Sequence, residues 1–135
     1  MNKDKVYVFT YGTLMQGGKN NCVMGNSKYI CDATIRQHIC FGLPYGFPCV
    51  IDLGINILNN VVGEVWEVPI KQLDNLDILE GYDKFRDDGM YLRREIVATD
   101  TLGKEYKCFY YVWNNELVED SYIVPTGEKW KEWKL

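Results

Sequence analysis

The sequence has few of the residues on which metal-dependent and disulfide-dependent domains rely. His38 is its one histidine, and none of its five cysteines belongs to a C-x-x-C pair. Because zinc sites draw closely spaced ligands from cysteine and histidine, we expect no metal site. An odd number of thiols without an export signal is typical of reduced, partly buried cysteines. A nucleophilic pair of Cys40 with His38 stays open, although two positions apart on a strand is not the usual arrangement.

Long apolar runs and clusters of positive charge are also missing. No 18-residue apolar segment exists, so we expect no membrane span, and residues 1–5 run directly into a strand without a signal peptide. The net charge is −4, with acids and bases mixed along the chain, which argues against nucleic-acid binding. We therefore expect a cytoplasmic protein with neither a membrane nor a nucleic-acid partner. The oligomeric state stays open.

The residues that are present are those of a globular protein. At 135 residues the chain is long enough for its own core, and we predict one domain over residues 1–135. Hydrophobic residues make up 47% and charged residues 25%, as in ordinary globular domains. Ten tyrosines and four tryptophans favour a tyrosine-lined pocket or interface.

About six strands and one clear helix are predicted, which indicates an α+β fold with a closed or nearly closed sheet. The helix is predicted to open at Pro69 and to end at Gly81. Residues 31–41 are predicted as one strand, and residues 91–99 and 104–113 as a hairpin. In the tail, Trp130 and Trp133 are expected to pack onto the body of the protein.

The first strand ends in a sequence that suits the binding of an anion. An apolar run over residues 6–9 stops at Tyr11 and Gly12, and a second pair of glycines follows at residues 17–18. Since Gly12 has no side chain, backbone N–H groups can turn outward there or a ligand can approach closely. Such donors at the end of a rigid strand suit a carboxylate or a developing oxyanion.

Glu80 is the acid whose predicted position is least expected. On a helical wheel it falls on the inward side of the stripe formed by Leu73, Leu76 and Leu79. It also lies at the helix C-terminus, where the helix dipole opposes negative charge. Burial and the dipole both raise a carboxyl pKa toward values useful for proton transfer near neutrality. The alternative is an acid that swings into solvent or pairs with an arginine at position 93 or 94.

Three segments together resemble the γ-glutamylcyclotransferase-like family, which includes the γ-glutamylamine cyclotransferases and the AIG2-like proteins. They are residues 11–14 (Tyr-Gly-Thr-Leu), 63–68 (Gly-Glu-Val-Trp-Glu-Val) and 76–82 (Leu-Asp-Ile-Leu-Glu-Gly-Tyr). The resemblance continues in order through residues 125–127 and the tryptophan at position 130. It departs from the family at Met15 and Gln16, which stand where a basic residue is common.

The resemblance implies a small mixed β-barrel flanked by a few helices, and an enzyme that needs no cofactor. Such an enzyme cyclises the glutamyl head of a γ-glutamyl amide or amine to 5-oxoproline and releases the amine. By the same resemblance Glu80 is the general acid/base. The predicted substrate-binding residues are Tyr11, Gly12, Thr13, Leu14 and Tyr111.

Several points stay open at this stage. Either Tyr110 or Tyr111 faces the pocket, and the first loop binds either the substrate α-carboxylate or the oxyanion. A non-catalytic module that binds small carboxylates on the same scaffold is the alternative function, and acyl transfer through Cys40 or Cys49 is a third. The amine portion of the substrate is not defined, because residues 43–48 and 83–89, where specificity is expected, are variable loops.

Overall fold

The computed structural model describes residues 4–54 and 58–132. Trp130 is buried, as predicted for the tail, whereas Trp133 lies outside the described residues. Within the described ranges, none of the helices has the length and apolar character needed to cross a membrane.

Five strands form a closed barrel in the order β1-β5-β2-β8-β9. Their bounds are Lys5–Thr10 (β1), Lys28–Arg36 (β2), Asn60–Pro69 (β5), Tyr91–Asp100 (β8) and Glu105–Trp113 (β9). Strands β1 and β9 are parallel and the other neighbours antiparallel, so the barrel is mixed. The predicted α+β class with a small mixed barrel is therefore confirmed, with five barrel strands rather than six. The predicted hairpin of β8 and β9 is also present.

The remaining strands form two smaller sheets. A three-stranded sheet has the order β10-β3-β4, and a short hairpin pairs β6 with β7. Their bounds are His38–Gly42 (β3), Pro48–Asp52 (β4), Tyr82–Asp83 (β6), Asp88–Gly89 (β7) and Tyr122–Val124 (β10). The single strand predicted over residues 31–41 is wrong. The chain breaks at Gln37, whose φ of 65° takes it out of the extended region and sends β3 into the second sheet.

The α-helix of the described residues, α1, spans Gln72–Glu80, and short 3₁₀ helices span Asn21–Met24 and Trp130–Glu132. The predicted helix start at Pro69 is wrong, because this proline is the last residue of β5 and pairs with Lys5. A proline is tolerated at the end of a strand, because its missing N–H group removes few of the hydrogen bonds between the strands there. The predicted end at Gly81 is correct: its φ is 67°, and its N–H caps the helix.

Two clusters of buried side chains use opposite faces of the same strands. We call the first the barrel cluster; it contains Phe9 and Tyr110 and extends to the second sheet. The second, the helix cluster, contains Val8 and Tyr111 and extends to Leu76 of α1. Because side chains alternate along a strand, neighbours in sequence belong to different clusters. The C-terminal end of α1 is therefore packed against the strand faces that carry Val8 and Tyr111.

Candidate active site

A cavity of about 360 Å³ lies between the loop that follows β1 and the C-terminal end of α1. All six site residues predicted from the sequence border this cavity: Tyr11, Gly12, Thr13, Leu14, Glu80 and Tyr111. Apolar and aromatic side chains, among them Phe47, Leu79, Met90 and Tyr91, form much of the remaining wall. A largely apolar hollow with a few converging polar groups is typical of a small-molecule site.

Asparagine side chains hold the shape of the first loop. The Asn20 amide nitrogen donates to the Thr13 hydroxyl oxygen at 3.0 Å, and that of Asn21 donates to the Leu14 carbonyl at 2.8 Å. The backbone N–H of Asn20 also donates to the Thr13 carbonyl at 3.0 Å. These bonds occupy the loop's oxygens and fix the path of its backbone.

Three backbone N–H groups of this loop, those of Gly12, Thr13 and Leu14, make no hydrogen bond within the described part of the chain. Gly12 is required sterically, because a Cβ there would lie 2.8 Å from the Pro48 Cγ. The loop therefore presents three consecutive donors in the manner of an anion-binding turn.

A second carboxylate, that of Glu64 in β5, is hydrogen-bonded to the backbone that follows the first loop. It is 1% exposed, and its Oε1 accepts hydrogen bonds from the Gln16 backbone N–H at 2.8 Å and the Trp66 indole at 3.1 Å. Lys131 Nζ lies 3.5 Å from its other oxygen and also donates to the Gln16 carbonyl. Sequence reasoning gave Glu64 no role, although an acid on an apolar strand face was a usable signal.

Glu80 is half-buried in the cavity wall and is not paired. No side chain of residues 4–54 or 58–132 donates a hydrogen bond to its carboxylate, and removal from water raises its pKa from 4.5 to about 7. The arginines that could have neutralised it are bound elsewhere. Arg93 pairs with Asp77 at 2.7 Å, and Arg94 pairs with Asp87 at 2.7 Å. Glu80 can therefore both accept and release a proton near neutral pH.

Tyr111, rather than Tyr110, borders the cavity. Its hydroxyl donates to Asp77 Oδ1 at 2.7 Å, and its backbone carbonyl accepts a bond of 2.6 Å from the Tyr11 hydroxyl. Tyr110 is on the other strand face, hydrogen-bonded to His38. Asp77, to which the sequence analysis assigned no role, is buried and joins Tyr111 to Arg93.

The tyrosines around Glu80 are neutral at physiological pH. Burial raises the pKa of Tyr11, Tyr91 and Tyr111 well above 10, and the charge of Glu80 raises each of them further. Because the charge of Glu80 raises all three pKa values, the three hydroxyl groups lie close enough to interact electrostatically with its carboxylate. Their protons are engaged, because Tyr91 donates to the Pro48 carbonyl at 2.5 Å and the other two donate as described. Of the four groups, Glu80 is the one whose pKa lies near neutrality.

The cysteine–histidine pair that the sequence left open does not form. The two ring nitrogens of His38 are hydrogen-bonded to the Arg36 carbonyl and the Tyr110 hydroxyl, each at 2.7 Å. Burial raises the pKa of the Cys40 thiol far above neutrality and that of Cys49 to about 12, so neither is a ready thiolate. Among the described residues no three His, Cys, Asp or Glu side chains are grouped to hold a metal ion.

Fold and site together define a class: a small mixed barrel with a cavity bordered both by the carboxyl group at the end of α1 and by the loop after β1. The model of the family described as "Gamma-glutamyl cyclotransferase, AIG2-like" matches residues 8–133. The chain therefore belongs to the γ-glutamyl cyclotransferase, AIG2-like family.

Individual relatives agree with this assignment. The chain is 30% identical over 106 residues to "Putative gamma-glutamylcyclotransferase MJ1514" of Methanocaldococcus jannaschii, covering 78% of this chain and 82% of that protein. Its fold is similar to that of a uropathogenic E. coli-specific protein (17% identity, TM-score 0.72, 98% of this chain and 96% of the other). It is also similar to a mouse AIG2-like protein (21% identity, TM-score 0.69, 93% and 87% covered).

Proposed function

We propose that this protein is a γ-glutamyl cyclotransferase that converts the glutamyl head of a γ-glutamyl amide or amine to 5-oxoproline. The observation that carries the proposal is the half-buried Glu80 carboxyl, with its pKa near 7 and no hydrogen-bond partner among the described residues, in a cavity that the first loop also borders. Family membership supports the general class of reaction.

In the proposed reaction the substrate's own α-amine is the nucleophile. Its nitrogen attacks the γ-carbonyl carbon and closes a five-membered ring, and the bond from that carbon to the leaving amine nitrogen breaks. The α-ammonium nitrogen loses two protons in becoming the lactam N–H. Glu80 takes each in turn and passes it to the leaving nitrogen, so the amine departs as its ammonium form. Atoms and charges balance without a covalent enzyme intermediate, a cofactor or a metal ion.

The side chains present match the two requirements of this reaction. Folding the flexible glutamyl chain into a near-attack geometry is a proximity effect, which supplies about 7–11 kcal/mol in well-oriented systems. In the proposal the N–H groups of Gly12, Thr13 and Leu14 hold the α-carboxylate, and Tyr111 forms the opposite side. Proton transfer by a positioned carboxyl group adds about 10²–10⁴-fold.

The test is release of 5-oxoproline from a panel of γ-glutamyl amino acids, peptides and amines. We expect Glu80→Gln to keep the fold and to lower kcat by about 10²–10⁴-fold. Since the carboxylate must be ionised to accept the proton, wild-type kcat/KM should rise with pH through about 7. The matched control is Glu95→Gln, which removes an exposed carboxylate of β8 outside the cavity.

The outcomes separate the competing functions. Retained turnover in Glu80→Gln would remove the acid/base role. Binding of γ-glutamyl compounds without 5-oxoproline release from any of them would instead favour the non-catalytic binding module.

A further inference from the structure

Two acids face each other across neighbouring strands of the barrel. Asp32 of β2 and Glu64 of β5 are directly opposite in the ladder, so their side chains lie on the same face of the sheet. Like charges directly opposite each other destabilise a sheet. The Glu64 carboxylate is also buried, which costs free energy unless a cation and hydrogen-bond donors compensate. This pair of acids therefore requires cations close by.

The C-terminal segment around Trp130 supplies one lysine for each acid. Lys129 Nζ donates to Asp32 Oδ2 at 2.7 Å, and Lys131 Nζ lies 3.5 Å from Glu64 Oε2. Between the two lysines the Trp130 side chain is buried, so the segment is held by packing as well as by charge. The spacing of the lysines thus matches the cross-strand pair of acids.

The two lysines differ in their contact with the backbone beside the first loop. Lys131 Nζ also donates to the Gln16 carbonyl at 3.1 Å, while the Gln16 N–H donates to Glu64 Oε1 at 2.8 Å. Both polar backbone groups of Gln16 are therefore bound by the two members of one ion pair. Lys129 makes no hydrogen bond or ion pair to residues 11–16, all of which the structure describes.

The position of Gln16 determines that of the loop through one short turn. Gln16 follows Leu14 by two residues, and the N–H of the intervening Met15 donates to the Gly12 carbonyl at 3.1 Å. The Met15 side chain is wholly buried, so the turn is anchored at this point too. The loop borders the same cavity as Glu80. Because a misplacement of about 1 Å far from the chemistry can cost about 10²-fold in rate, the anchoring of Gln16 bears on the site.

We propose that Glu64 and Lys131 are positioning residues of the active site, which act through the Gln16 backbone to hold the first loop in the conformation that binds the glutamyl head. The inference rests on the proposed function for the identity of the ligand. Neither residue borders the cavity, so both act through the loop and not by contact with the substrate. The C-terminal segment thereby serves a site formed 115 residues earlier in the chain.

The first test needs no ligand, because it measures amide hydrogen exchange by NMR. Lys131→Met keeps the apolar stem of the side chain but removes its charge and its donor. We expect the amides of residues 15, 16 and 18 to exchange about 10- to 100-fold faster, the range for losing a hydrogen bond to a charged group, while those of β8 and β9 keep their rates. Lys129→Met is the matched control, since it removes a paired lysine of the same segment that does not contact the loop. Its loop amides should exchange at wild-type rates.

The second test is kinetic and uses the γ-glutamyl compound that the wild type turns over with the highest kcat/KM. The loop is proposed to bind the α-carboxylate, whose charge is the same in substrate and transition state, so a loosened loop should raise KM and spare kcat. We expect Lys131→Met to raise KM about 10-fold with kcat within about threefold, and Lys129→Met to change neither. All assays are run well below the Tm of each variant.

Variants of Glu64 separate positioning from a purely structural role. Glu64→Gln keeps an oxygen that can accept the bonds from Gln16 and Trp66, so its KM should stay within about threefold of the wild type. Glu64→Met removes the acceptor and should raise KM about as much as Lys131→Met does. If the pair only stabilised the fold, the variants would lower Tm without moving KM.

The proposal would be overturned by wild-type exchange rates at the loop amides of Lys131→Met, by equal acceleration in the two lysine variants, or by an unchanged KM in Lys131→Met. The proposed function fails separately. If the wild-type protein releases no 5-oxoproline while the exchange rates differ as expected, the pair does hold the loop, and only the reaction assigned to the site is wrong.

Discussion

At the scale of single residues, Glu80 is held in a position that disfavours its charge. It occupies the last turn of α1, at the negative end of the helix dipole, and is partly removed from water with no ion pair to any of the described residues. Each of these factors destabilises the ionised form. A residue in such a place is expected to have a use that offsets its cost.

This arrangement predicts a pH-dependent gain in stability on substitution. The folded protein holds the Glu80 proton more tightly than the unfolded chain, because the pKa rises from 4.5 to about 7 on folding. The stabilising contribution is complete below pH 4.5 and is lost as the pH rises through about 7. Glu80→Gln should therefore be more stable than the wild type at pH 8, by about 1–3 kcal/mol, and equal to it near pH 4.

Urea unfolding at pH 4, 6 and 8 measures this difference in the free energy of unfolding. The control Glu95→Gln shows how much stability changes when an exposed carboxylate is removed. A Glu80→Gln variant that is less stable than the wild type at pH 8 would show that the ionised group is stabilised in the fold, against the environment described here.

At the scale of elements, Asp77 of α1 contacts both β8 and β9 and holds the side chain of Tyr111. Asp77, one turn before Glu80, accepts bonds from Arg93 of β8 and Tyr111 of β9. The Arg93 guanidinium also lies over the rings of Tyr82 and Phe109, at 5.5 and 5.2 Å from their centroids. Helix and barrel are thereby joined through one buried carboxylate.

Asp77→Asn should consequently affect both stability and activity. It leaves the half-buried Arg93 without a counter-charge, for which we expect a loss of about 3 kcal/mol in the free energy of unfolding. The amide has one acceptor oxygen for two donors, so the bond that holds Tyr111 is also weakened, which should lower kcat/KM for 5-oxoproline formation. Denaturant unfolding and steady-state kinetics measure the two effects.

The chain offers a matched control in Asp87→Asn. Asp87 pairs with Arg94 at the same 2.7 Å, yet the pair is exposed, so solvent screens it. We expect the free energy of unfolding and the kcat/KM of Asp87→Asn to stay near those of the wild type. If the two variants lost equal stability and activity, the burial of the Asp77–Arg93 pair would not explain the effect of Asp77→Asn.

At the scale of the whole molecule, the strands of two sheets enclose most of the thiols. Cys40, Cys49 and Cys108 are buried, and burial raises the pKa of Cys108, like that of Cys49, to about 12. Cys22 is exposed and Cys31 is partly exposed. A thiol reagent should therefore label Cys22 quickly in the native protein, whereas the three buried thiols should react only as the fold opens.

Mass spectrometry of the labelled protein gives the order of modification, and a 5-oxoproline assay on the Cys22-labelled form gives its effect. We expect full activity after that first label. If labelling of Cys40 or Cys49 in the folded protein caused inactivation, that result would support the alternative function, acyl transfer by a cysteine.

The sequence by itself determined the features that depend on local chemistry. The apolar spacing of α1 and Gly81 as its cap gave the correct end of the helix and the inward direction of position 80. The apolar run of residues 6–9 and the glycine after it indicated the first strand and its loop. These depend on neighbours a few residues away, so they can be read from the chain.

Only the tertiary structure decided which distant groups meet. It showed that Arg93 and Arg94 pair with aspartates and not with Glu80. It also showed that Tyr111 borders the cavity, whereas Tyr110 lies on the other strand face. Strand register and barrel closure set these relations over separations of up to about a hundred residues, as between Tyr11 and Tyr111. Local propensity carries no information on such pairings, because they depend on how the whole sheet closes.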